Sequence, residues 1–172
     1  MERKVLSILV DNTAGVLGRV AGLFSRRGYN IDSLTVGETQ NPAFSRMTVV
    51  VRGDDQVLDQ IEKQVAKLED VRSVKVLKHG QRVCRELVLV TVAATAQDRP
   101  AIVAIADIFR AKIVDVGVDT LMIELTGNQN KMDAFVKLLD GYEIKELVRT
   151  GVAGLSRGAQ DMFEEFDDGL DT

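Results

Sequence analysis

Between Lys4 and Val10 the chain reads "KVLSILV", with Leu6, Ile8 and Val10 on one alternation and Val5 and Leu9 on the other. Apolar residues on both alternations predict a strand covered on both faces. The next stretch changes period. Val16, Leu17, Val20, Leu23 and Phe24 form one helical stripe, Arg26 and Arg27 suit the negative end of the helix dipole, and Gly28 supplies a C-cap. "NIDSLTV" from Asn30 and "SRMTVVVR" from Ser45 are strands around the turn "GETQNPAF". A second helical period follows in Val57, Leu58, Ile61, Val65 and Leu68, led by Asp54 and Asp55, and "VRSVKVLK" from Val71 closes as a strand. The order βαββαβ in so short a span is the ferredoxin-like unit.

After a linker-like "KHGQR" the order repeats. "RELVLVTVAA" is a strand, and "DRPAIVAIADIFRA" is a helix with Asp98 as cap, Pro100 in its first turn and Ile102, Ile105, Ile108 and Phe109 facing inward. Two strands meet around Asp119 and Thr120, a helix covers "NQNKMDAFVKLLDG", and "YEIKELVRTG" is the last strand. The expected architecture is α+β, two tandem ferredoxin-like βαββαβ domains: residues 1–77, a linker at 78–83, a second domain at 84–158, and an acidic tail at 159–172.

Length and charge narrow the classes. The 172 residues are 45% hydrophobic, enough for packed cores. Net charge is −4, and the stretch from Ser156 onward holds −5 of it, so the body is almost neutral with acids and bases interspersed. That argues against a nucleic-acid surface, which clusters Lys and Arg. The central strands as read, Lys4 to Val10 and Ser45 to Arg52, carry no aromatic on which bases would stack. The single cysteine, Cys84, makes no internal disulfide, no secretory leader pattern is present, and "LVLVTVAATA" is too short to span a bilayer. A reducing cytoplasmic setting without membrane attachment is the expectation.

The candidate chemistry sits around the first helix. Gly18 and Gly22 share a face with Ala14, nearly opposite the apolar stripe, and a face of small residues admits another backbone closely. That backbone belongs either to a partner chain or to a neighbouring element of the same chain. The doubly apolar first strand favours a partner, since a lone ferredoxin-like sheet has helices on one face only. Gly15 stands at the turn into the helix, where backbone N–H groups lack intrahelical acceptors, and the missing Cβ gives an anion access to them. Asn12 and Asn30 offer amides that donate and accept. Together these suit a free amino acid, with Val16, Leu17, Ile31 and Leu34 near its side chain. The plainer alternative is that Asp11 or Asn12 caps the helix and Asn30 serves a turn. His79 falls in the linker and Cys84 just after it, both without partners in sequence for catalysis, and Asp11 with Asp32 is better read as caps and turns than as a metal or acid–base pair. An acyl-phosphate hydrolase using Asn12, Gly15 and Arg19 lacks the phosphate-binding loop.

The stretch "NTAGVLGRVAGLFSRRGYNIDSLTVG" resembles the N-terminal ACT-domain signature of acetolactate synthase small regulatory subunits, and "RAKIVDV", "ELTGNQNKMDAF" and "ELVRTGVAGLSRG" resemble that family's C-terminal domain. The resemblance implies a non-catalytic chain without its own cofactor. It would bind a large subunit that carries thiamine diphosphate, Mg and FAD, activate it, and confer feedback inhibition by valine or another branched-chain amino acid. ACT domains of that family pair side by side, implying a homodimer with Gly18 and Gly22 at the interface. By position, the effector would meet Asn12, Ala14, Gly15, Val16 and Leu17 of one chain and Asn30 and Ile31 of the other. In the second repeat, "ATAQDRPAI" has Pro100 and no glycine at the corresponding turn, so no second site of this kind is expected. An ACT regulator of another enzyme is the alternative.

Overall fold

A computed structural model describes residues 2–158, so the expected acidic tail lies outside the described residues. The chain forms two compact units, one running to Val83 and taking up the segment from Ala153, the other Cys84–Val152.

In the first unit, β1 (Glu2–Asp11), α1 (Val16–Arg26), β2 (Ile31–Glu38), β3 (Phe44–Gly53), α2 (Asp55–Ala66) and β4 (Val71–Val76) build an antiparallel sheet in the order β2-β3-β1-β4. The stripe Val16, Val20, Leu23 and Phe24 packs on Leu6, Ile8, Val10, Met47, Val49 and Val51, and Leu58, Ile61 and Val65 of α2 complete that core. Local chemistry sets the helix ends. Asp54 Oδ1 accepts from the Val57 N–H at 2.9 Å, the capping role its position predicts. Gly28, at φ +70°, ends α1 in a Schellman motif: its N–H donates to Ser25 O and the Tyr29 N–H to Phe24 O. Strand β3 starts one residue before the expected Ser45, so the central pair of strands does include an aromatic, Phe44, at its end.

The second unit repeats the plan with β5 (Arg82–Ala93), α3 (Arg99–Ile108), β6 (Lys112–Val116), β7 (Thr120–Gly127), α4 (Gln129–Leu138) and β8 (Ile144–Arg149), in the order β6-β7-β5-β8. Its core gathers Val88, Val90, Val92, Leu121, Ile123 and Leu125 under Ile102, Ala106, Met132 and Phe135, with Phe109 set edge-on to Phe135 at 5.4 Å between ring centroids. Glu86, almost fully buried, receives a two-pronged guanidinium contact from Arg149 at 2.6 and 3.0 Å, and Arg149 also reaches Asp133 at 2.9 Å.

Several expectations are corrected. Asp98 does not cap α3. The turn before the helix is tied by Thr95 instead: its hydroxyl accepts from the Asp98 N–H at 3.2 Å and donates to the Asp98 carboxylate at 3.0 Å. Ile108 does not face inward but is 76% exposed. At about 100° per residue it lies roughly 120° away from Ile102, whereas Ala106 falls on the stripe and is buried. The expected linker is shorter, since β5 already begins at Arg82.

The chain after the second unit also departs from expectation. Strand β9 (Ala153–Ser156) pairs with β5, yet the segment from Ala153 groups with the first unit, although the second domain was expected to run to 158. The buried Gly154 N–H donates to the hydroxyl of buried Thr48 at 3.3 Å, and the Arg157 N–H donates to Gln81 O at 2.7 Å. Val5, Ser7, Leu9, Thr48 and Val50, on the sheet face away from the helices, are all buried within this single chain. The doubly apolar β1 therefore does not require a partner chain to cover it.

Ile102→Ala should cost about 2–5 kcal/mol and Ile108→Ala less than about 0.5 kcal/mol, read as shifts in denaturant midpoint at unchanged slope. Equal losses would mean that Ile108 packs inward.

Candidate effector site at the start of the first helix

Helix α1 opens without a side-chain cap. Its N-cap is Gly15, at φ +86° and ψ −8°, a left-handed conformation that glycine adopts without the steric cost of a Cβ. The first turn carries no acid, so the unpaired N–H groups and the positive end of the helix dipole there are not neutralised from within the helix. Neither Asp11 nor Asn12 caps the helix. The Asp11 carboxylate takes a fork from Arg72 at 2.7 and 3.2 Å, and Asn12 Nδ2 donates to Pro42 O at 2.9 Å. Backbone bonds from Asp11 N to Asp70 O and from Asn12 N to Ala43 O fix the same loop to two neighbouring turns. With its Nδ2 so used, Asn12 keeps Oδ1 as an acceptor for a ligand.

Placement divides the predicted residues into three groups. Val16 is buried in the core and has only its backbone N–H to offer, and Ile31 and Leu34 also pack on that core. Leu17 is 48% exposed, and Ala14 and Gly18 are exposed beside it. A Cβ built at Gly18 would meet nothing within 4 Å, and one at Gly22 only the Arg26 guanidinium at 3.4 Å. Among the described residues, no neighbouring element crosses the small face of α1 at Gly18 or Gly22.

Asn30 and Ile31 lie at the other end of the sheet. Ile31 is opposite Val51, which is opposite Lys4, whereas the loop before α1 follows Asp11, opposite Phe44. Seven residues of strand separate those positions, about 23 Å. One chain does not bring the two halves of the predicted site together.

The sequence gives no sign of the ion pairs around the loop, Arg19 with Asp70 and Arg72 with Asp11. Arg19 donates from Nε to Asp70 at 2.5 Å, and its Nη1 lies 2.8 Å from where a Cβ on Gly15 would stand. The hydrogen bond from Arg19, joined by the charges of Arg19 and Arg72, holds the Asp70 carboxyl below the ordinary carboxylate range. Asp32 belongs to a different cluster, pairing with Arg3 and Arg52, so it forms no pair with Asp11. Among the described residues no group of three or more His, Cys, Asp or Glu is placed to hold a metal ion, and no helix is long and apolar enough to cross a membrane. In the second unit the matching turn is closed on itself: the N–H groups of Asp98 and Arg99 both bond to Thr95 O, and Arg99 reaches back to Gly117 O and Val118 O.

A βαββαβ unit with a glycine-led, uncapped first helix is the architecture of an ACT regulatory domain, and residues 6–73 match the family model described as "AHAS small subunit-like ACT domain". Residues 85–158 match the model described as "Small subunit of acetolactate synthase". Over 159 residues the chain is 50% identical to the probable acetolactate synthase small subunit of Methanothermobacter thermautotrophicus, covering 92% of this chain and 95% of that one. It is 47% identical over 157 residues to the acetolactate synthase isozyme 3 small subunit of Escherichia coli, covering 91% and 96%. The crystal structure of the acetolactate synthase small subunit from Thermotoga maritima superimposes with a TM-score of 0.86 at 40% identity, covering 92% and 99%. The chain belongs to the acetolactate synthase small-subunit family, and its role is regulatory rather than catalytic.

The Asp70 carboxyl should titrate below the ordinary carboxylate range in a carbon-detected NMR titration, and Arg19→Gln should raise it. A depressed folded-state value means that this pair's stabilisation is present above the unfolded carboxylate pKa and is lost as pH falls through the folded one. The pair is solvent-exposed, so the change in overall stability should be small. An unchanged Asp70 titration in Arg19→Gln would show that the ion pair does not form.

Proposed function

We propose that this chain binds the thiamine-diphosphate-dependent large subunit of acetolactate synthase, raises its activity, and makes it subject to feedback inhibition by valine or another branched-chain amino acid. The thiamine diphosphate, Mg and FAD belong to the large subunit in this reading. The observation that carries the effector's place is the uncapped, glycine-led start of α1 beside the Asn12 amide. Helix N–H groups receive the carboxylate and Asn12 Oδ1 receives the ammonium. Asn30 and Ile31 of a second copy complete the pocket, which accounts for their distance from Gly15 within one chain. The open face of Ala14, Gly18 and Gly22, flanked by exposed Leu17 and Val36, supports pairing of two copies along α1 and the edge strand β2.

Regulation then requires valine to bind the activating and inhibited arrangements unequally, with a coupling of roughly 1–3 kcal/mol, and by linkage the large subunit changes valine affinity by the same factor. Thermal unfolding of the chain with valine, leucine, isoleucine and alanine tests the reading. An effector at about 100 times its dissociation constant adds about 2.7 kcal/mol, a shift of several degrees. Valine should give that shift, alanine should not, and Gly15→Asp should remain folded and lose it. Absence of any shift, both alone and with the large subunit present, overturns the assignment.

A further inference from the structure

The loop before α1 is held by its surroundings rather than by its own helix. Gly15 supplies no side-chain cap, so the orientation of the first turn depends on what grips the helix nearby. Arg19, one turn into α1, bonds through Nε to Asp70, which directly precedes β4 and whose carbonyl accepts the Asp11 N–H at 2.9 Å. The rest of the same guanidinium folds back over the loop, with Nη2 3.5 Å from Ala14 O and Nη1 2.8 Å from the absent Cβ of Gly15. Any side chain at position 15 would have to displace it. The bare Gly15 and the seated Arg19 are thus one arrangement, and Asp70 is gripped twice, once by the loop's backbone and once by the helix's guanidinium.

We propose that Arg19, held by Asp70, is a positioning residue of the effector site: it sets the angle at which the first-turn N–H groups of α1 meet the effector. This rests on the effector reading above. Half-exposed on Arg19's side, the pair adds little to global stability, so its effect falls on affinity. It also changes what a side chain at position 15 does. The carboxylate in Gly15→Asp would compete with Asp70 for Arg19 as well as fill the ligand's space.

Valine titration calorimetry on the full chain tests this with Arg19→Gln, Asp70→Asn and the two combined, alongside thermal midpoints without ligand. Each single variant should weaken valine about tenfold, and the combined variant should lose no more than either alone, because both changes break one unit. The ligand-free midpoints should stay within a few degrees of the native chain, which a merely structural role would not allow. Native affinity in the single variants, losses that multiply to about a hundredfold in the combined one, or affinity that falls only in step with the ligand-free midpoint overturns the proposal. A native chain that binds no branched-chain amino acid, both alone and with the large subunit present, overturns the effector reading and this proposal with it, whereas native binding with unaffected variants overturns this proposal alone.

Discussion

Burial of β1 on both of its faces is the condition to which the first unit answers. The strand pairs with β3 along its whole length and with β4 from Leu6 to Val10, so its buried part is paired on both sides. Its residues from Val5 to Val10 are all buried, Ser7 included, and the Ser7 hydroxyl accepts from Arg46 Nη1 at 2.8 Å rather than lying unpaired. One face takes α1 and α2. The other takes no helix of the βαββαβ plan, and the chain returns to it after 152. Where β1 ends, its direction delivers the chain to the turn at Gly15, so the position of the candidate site follows from the placement of the most buried strand.

Local signals were legible wherever the cause is local. The stripe of α1, the Gly28 C-cap, the Asp54 cap and both βαββαβ orders follow from residues within a few positions of one another. The Thr95 bonds to Asp98 before α3 were equally local, but Asp98 beside Pro100 was the more conspicuous cap. Ile108 shows the limit of reading an apolar residue as a core residue without following the helical angle. Strand β9 had no such signal. "AGLS" neither alternates nor carries β-branched residues, and Gly154 is buried because it lacks a side chain, not because it has an apolar one. Its pairing with β5 and its Gly154 bond to Thr48 both join residues far apart in the chain.

The same distinction runs through the candidate site. Gly15 and Asn12 could be picked out because a glycine and an amide at the start of a helix have few other uses. Arg19 with Asp70, and Arg72 with Asp11, lie 51 and 61 residues apart in sequence and meet only because β1 and β4 are neighbours. Nothing in the pattern of charges singles these pairs out from the other acids and bases of an almost neutral body. The separation of Asn30 from Gly15 is likewise a fact of strand register. It splits a list of candidate residues that sequence places together into two groups at opposite ends of one sheet.

Because β9 comes after the second unit in the chain yet completes the first, the first unit is discontinuous and the second is inserted within it. A cut in the segment between Leu77 and Arg82 therefore would not yield two independent pieces. The amino-terminal fragment would lack the segment carrying Gly154, and the carboxy-terminal fragment would keep that segment as β9 paired with β5. An ACT unit transplanted to another enzyme by taking only its first eighty residues would arrive with Thr48 short of its amide donor and one sheet face missing part of its cover.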